Sequence, residues 1–238
     1  MTSTNTLYTR LLRANDPIAE LTEIGELSVA VDDIEVTNYD SDVGYKEFIP
    51  GLYDGGELSI TGNLTGDDAQ AGLESDYQAG ILQDFIFAFP NSLNSSWGFS
   101  AYVKNYGTGQ PIDGALQMNA TLKISGKPTL ITDNGSAGLT TPYFALSGNN
   151  SGSISPSPSP SNSVYLYSAT ADNLDTAVTV TPTAAAGSIY VNGTATASGS
   201  GQSISLGDAG TVTKVFIVVK ESNKAPKIYK INITRAEV

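Results

Sequence analysis

The side chains that could do chemistry in this sequence are carboxylates and little else. The 238 residues hold 24 Asp+Glu against 12 Lys+Arg, with no Cys and no His. Without Cys there is no thiolate nucleophile, disulfide or thiolate metal site. Without His, the usual general base of hydrolases and the commonest metal ligand are missing. The densest acidic cluster is Asp32, Asp33 and Glu35, followed by Asp40 and Asp42. Hard cations take such oxygens, but the EF-hand spacing and its turn glycine are absent, so the cluster reads as a solvated acidic edge. Paired carboxylates also serve glycoside hydrolysis, yet no pair is singled out by spacing or ringed by aromatics. "YDGGEL" and "YGTGQP" are glycine turns that do not fit a phosphate loop. The expectation is a chain with no catalytic residue, no metal and no cofactor, and not an enzyme.

The acid is unevenly placed. Residues 1–150 hold 19 Asp+Glu against 6 Lys+Arg, a net −13, whereas residues 151–238 hold 5 against 6, a net +1. A surface this acidic repels phosphates, because affinity for nucleic acid needs Lys and Arg. The N-terminal stretch lacks an apolar core of signal-peptide length, and no window reaches the length of a membrane span. A soluble protein made in the cytoplasm, with no membrane partner, is expected.

The elements that would position any site are mainly strands. In "ALQMNATLKIS", Leu116, Met118, Ala120, Leu122 and Ile124 alternate with polar residues, the period of a half-buried strand. "LSITGNL" alternates in the same way, and "FIFAFP" followed by "WGFSAYV" predicts a hairpin. One helix is predicted, with Ala69, Leu73, Tyr77, Ile81 and Phe85 as its apolar stripe. Thr65 or Asp67 caps it, and Asp67, Asp68, Glu74 and Asp76 fall on its solvated face. Alternating Ser and Pro in "SGNNSGSISPSPSPSNS" reads as a linker. The predicted organisation is therefore a β-sandwich or barrel domain with one packed helix (1–146), a Ser/Pro-rich linker (147–163) and an immunoglobulin-like β-sandwich (164–238). Six short strand patterns, from "SVYLYSA" to "KIYKINITR", build the last of these.

The order of phrases carries a resemblance. "ELSVAVDDIEVTNYDSDVGYKEFIPGLYDGGELSITGNL", a helix with "AQAGL", "FIFAFPNS" leading to "WGFSAYV", and "MNATLKISGKP" together resemble the major tail tube proteins of lambda-like, long non-contractile-tailed bacteriophages. The C-terminal phrases "IYVNGTA" and "YKINITR" resemble cadherin-like or bacterial immunoglobulin-like decoration domains. The resemblance implies subunits that form homohexameric rings, stacked into a tube within a virion tail. DNA would pass through the channel without specific binding, and tape measure and tail terminator proteins are implied partners.

That resemblance assigns residues 38–55 to a loop that becomes ordered against the neighbouring ring. Tyr39, Tyr45, Phe48, Ile49, Leu52 and Tyr53 are too apolar for an idle solvent loop, which fits a surface buried on assembly. The alternative is that they cover the core of their own subunit. Asp32, Asp33 and Glu35 are the candidate acids of the channel wall. Two other readings remain open: the inner tube of a contractile injection system, and a carbohydrate-binding surface adhesion module.

Overall fold

The computed structural model describes residues 8–109 and 114–237, and these are mainly β with a single α-helix among them. In chain order the elements are β1 (Arg10–Arg13), β2 (Asp16–Pro17), β3 (Leu21–Ile24), β4 (Ala30–Glu35), β5 (Phe48–Asp54), β6 (Glu57–Asn63) and helix α1 (Asp68–Ala79). Next come β7 (Gln83–Ala88), β8 (Ser96–Gly109), β9 (Gln117–Ile131), β10 (Leu139–Gly148) and β11 (Gly152–Ile154). The last seven are β12 (Leu166–Ala171), β13 (Ala177–Ala184), β14 (Ser188–Val191), β15 (Thr194–Thr196), β16 (Gln202–Ser205), β17 (Val212–Lys220) and β18 (Lys227–Arg235). Two compact units result. One comprises Ile18–Phe85 and Gly98–Thr129; the other comprises the chain up to Pro17, Ile86–Trp97 and everything from Leu130 onward.

In the first unit, strands run in the order β8-β9-β6-β3. The antiparallel register of β6 and β9 sets Leu58 opposite Leu122 and Ile60 opposite Ala120. With Met118 and Ile124 these residues form the buried face, as their period of two requires. Leu116 precedes β9 and stays exposed. The capping residue of α1 is Asp67, whose carboxylate accepts from the Gln70 N–H at 2.9 Å. Gly80 ends the helix in the left-handed region, at φ +61°.

The helix buries a different stripe from the one predicted. Ala69, Gln70, Leu73 and Asp76 are buried, while Tyr77 and Ile81 are exposed and Phe85 belongs to β7. Steps of four residues overshoot the 3.6-residue turn, so the contact face returns at i+3 and Asp76 takes the place expected of Tyr77. Gln70 is fully enclosed and fully bonded. Its Nε2 donates to the carbonyls of Ala19 and Asn63, both at 2.9 Å, and its Oε1 accepts from the Thr65 N–H at 2.9 Å.

The second unit is a β-sandwich. A five-stranded sheet, β12-β18-β17-β14-β15, faces a four-stranded one, β11-β10-β13-β16. Tyr167, Val178, Val180, Val215, Ile217, Val219, Tyr229 and Ile231 are among the residues packed between them. Strands β14 and β15 are joined at Asn192-Gly193, both at positive φ, the backbone that a two-residue primed turn demands. The run "VFIVV" in β17 is apolar on both faces because both are covered. Val215, Ile217 and Val219 face the sandwich interior, whereas Phe216 and Val218 pack with Leu12, Ile86, Ala88 and Ile228.

This arrangement differs from the expected cut at 147–163. Residues 139–148 form β10, which pairs with β13 and sets Leu146 opposite Val180. Residues 152–154 then fold back on it as β11. The turn between them is fastened by Asp175, which is fully buried. Its carboxylate accepts from the backbone N–H groups of Asn150, at 2.7 Å, Ser151 and Asp172, and from the Ser151 hydroxyl. Farther on, Ser157 exchanges two backbone hydrogen bonds with Ser168, and the Tyr167 hydroxyl accepts from the Ser161 N–H at 3.0 Å. Proline removes its own N–H from such pairing, but the intervening serines keep theirs. Here those donors bind the sandwich instead of leaving the segment loose.

Candidate functional site: an exposed apolar hairpin

Strands β4 and β5 form an antiparallel ribbon of their own in the first unit. The register pairs Ala30 with Asp54, Val31 with Tyr53, Asp33 with Pro50, Ile34 with Ile49 and Glu35 with Phe48. It shifts by one residue between Val31 and Asp33, a bulge that adds twist to the ribbon. The turn at the tip is built from local bonds. Asn38 Oδ1 accepts from the Asp40 N–H at 2.8 Å, and the Ser41 hydroxyl donates to Glu47 at 2.9 Å.

Every residue of β4 is exposed, as is all of β5 except the half-buried Gly51. Leu52 is 83% exposed, Tyr45 and Tyr53 77%, Phe48 52% and Ile49 49%, and Tyr39 projects fully into solvent at the tip. These side chains do not cover the core of their own chain. The exposed set also extends beyond the expected loop, to Val29, Val31, Ile34 and Val36. Their alternation in "VAVDDIEV" was the available signal, but it predicts a strand without saying what its faces meet. Exposed apolar side chains gathered on one ribbon are the kind of surface that proteins bury against a partner.

The base of the ribbon is specified closely. Gly56 has φ +79°, and a Cβ on it would fall 2.2 Å from the Ser28 carbonyl oxygen. A Cβ on Gly55 would fall 2.5 Å from the Ile124 side chain. Asp54 receives the Lys123 ammonium at 2.8 Å and the Gly56 N–H at 2.9 Å. Those bonds hold its carboxyl below the usual carboxylate range, and the same contact raises the Lys123 ammonium. The Gly-Gly pair is thus the one sequence that lets the chain leave the sheet here and return as β6.

The three candidate wall acids lie on the ribbon itself. Strand alternation puts Asp33 and Glu35 on one face and Asp32 on the other. Glu35 is bonded to Lys46 at 2.7 Å, which pulls its carboxyl down; the Thr37 hydroxyl adds to that effect. Among the described residues, no group of three or more acids is placed to hold a metal ion.

No curated protein matches the chain. Solved structures align with about half of it. A protein from the virion of a native gene transfer agent particle is 15% identical, covers 54% of this chain and 98% of its own, and gives a TM-score of 0.48. One from the baseplate of the anti-feeding prophage is 13% identical, with 54% and 97% covered and a TM-score of 0.44. The SPP1 tail tube gives 16%, 56%, 86% and 0.42. The C-terminal module is where a family model matches: residues 151–236 fit the cadherin-like β-sandwich domain.

Proposed function

We propose that this chain is the structural subunit of a long, non-contractile phage tail tube, assembling into six-membered rings that stack through the β4–β5 hairpin. The observation that carries the reading is the hairpin. It is an apolar ribbon exposed along its length, yet its base is fixed by Gly55, Gly56 and the Asp54–Lys123 pair. An element held this firmly in solvent gains its free energy only when a second copy covers it. The resemblance of residues 20–130 to major tail tube proteins supplies the kind of assembly, and the cadherin-like module would decorate the outside of the tube. The channel would conduct DNA without gripping it. A ring of six carries about −78 from residues 1–150, and only acids within about 8 Å of the duplex act on it at physiological salt.

Electron microscopy of the purified protein, alone and with Phe48→Ser/Ile49→Ser, tests this. The expected result is rings or tubes for the natural sequence and folded monomers for the variant. A natural protein that remains monomeric at high concentration overturns the reading, as does a variant that still polymerises.

A further inference from the structure

The sandwich unit contains a cleft of about 150 Å³ that the tube reading leaves without a role. Strand β1 brings Arg10 to it, and β18 brings Lys230. Tyr8 and Tyr165 supply two aromatic walls. Tyr165 is held in place twice: its carbonyl accepts from the Lys230 N–H at 2.8 Å, and its ring lies 5.3 Å from that of Tyr229. Asn91 also lines the cleft but offers a ligand nothing. Its Nδ2 donates to the Ile228 carbonyl at 2.7 Å, and its Oδ1 accepts from the Ile228 N–H at 3.1 Å.

The two cations are not neutralised. Arg10 uses one guanidinium donor on the Thr9 carbonyl, at 3.0 Å. Among the described residues neither Arg10 nor Lys230 forms an ion pair with a carboxylate. Partial burial pushes both groups down, and Lys230 is lowered further by the neighbouring charges of Lys214 and Arg10. Like charges drawn together and partly removed from water are costly without a counter-ion.

We propose that this cleft binds a compact anionic saccharide, its phosphate or carboxylate held by Arg10 and Lys230 and its ring set against Tyr8 and Tyr165. The Arg10 fork matches either anion in bidentate geometry, and Lys230 adds a point charge. The cleft, about 150 Å³, has room for one anionic group and part of a ring. Tyrosine suits the open mouth, giving an apolar face beside a wet hydroxyl.

Titration calorimetry on the full chain with glucose 6-phosphate, glucuronate, glucose and inorganic phosphate decides it. Both charged sugars should bind saturably, at least about tenfold more tightly than glucose or inorganic phosphate. Arg10→Gln and Lys230→Gln should each weaken them by about tenfold or more, the scale of one hydrogen bond to a charged group. Tyr8 is half exposed, so Tyr8→Ala is the variant that keeps the fold and should also weaken both sugars. Affinity unchanged in these variants, or equal for glucose, overturns the site. Inorganic phosphate binding as tightly as glucose 6-phosphate overturns the saccharide assignment.

Discussion

Gly56 faces the carbonyl of Ser28 so closely that no side chain fits between them. The direction in which the β4–β5 ribbon leaves the sheet depends on this contact. Gly56→Ala should cost about 2 kcal/mol or more, since it combines a left-handed alanine with a steric overlap. Gly44, at the ribbon tip, also has positive φ, but an added Cβ there meets nothing within 4 Å. Gly44→Ala should therefore cost only the backbone term, about 1 kcal/mol. Urea unfolding of the two variants separates overlap from strain.

Leu52 has few neighbours to lose. Leu52→Lys should leave stability within about 0.5 kcal/mol of the natural sequence, as for other exposed sites. On the tube reading assembly is a different matter, because an unpaired ammonium buried between copies is costly. Light scattering should show the concentration needed for polymerisation rising by at least tenfold.

Gln70 joins helix α1 to two carbonyls and one N–H of the segments beside it. Gln70→Leu preserves the size but removes the partner of three backbone groups. A loss of about 3 kcal/mol is expected. Hydrogen exchange should show the added opening around Thr65 and the first turn of the helix.

Asp175 links pH to the sandwich. Burial alone would raise its carboxyl, but the Ser151 hydroxyl and the N–H groups of Asn150, Ser151 and Asp172 outweigh burial and hold it below the usual range. A depressed carboxyl stabilises the fold fully above its unfolded value, about 3.9, and this contribution is lost as pH falls through the lower folded value. The natural protein should lose stability steeply below about pH 4. Asp175→Asn should be less stable at neutral pH, by about 3 kcal/mol, with a flatter acid limb in thermal melts recorded across pH.

The sequence was most legible where one pattern has one cause. The alternation of Met118, Ala120, Leu122 and Ile124 can only be a half-buried strand, and the strands after residue 163 followed from the same rule. Other patterns state the burial but not the partner. The unbroken apolar run in β17 requires cover on both faces without saying that Leu12 and Ile86 supply the outer one. The sequence "LTTPYFALSG" holds a proline, Pro142, which argues against a strand, yet as β10 it carries Phe144 and Leu146 into the sandwich core. The hairpin was half visible. Phe48, Ile49, Leu52 and Tyr53 suggest a surface to be covered, whereas nothing in the sequence separates Val31 and Ile34 from core residues, since periodicity does not say which molecule supplies the cover.

The position of β18 orders events during synthesis. This strand lies between β12 and β17, pairing in parallel with the first and antiparallel with the second. Its Tyr229, Ile231 and Ile233 fill the middle of the core. A growing chain can form the β6–β9 pairing long before residue 227 leaves the ribosome, but the sandwich has no centre until Arg235 has emerged. A chain broken off earlier would expose β12 and β17 as two bare edges, which invite aggregation and proteolysis. The second unit therefore stays open, whatever has already folded, until β18 is in place between β12 and β17.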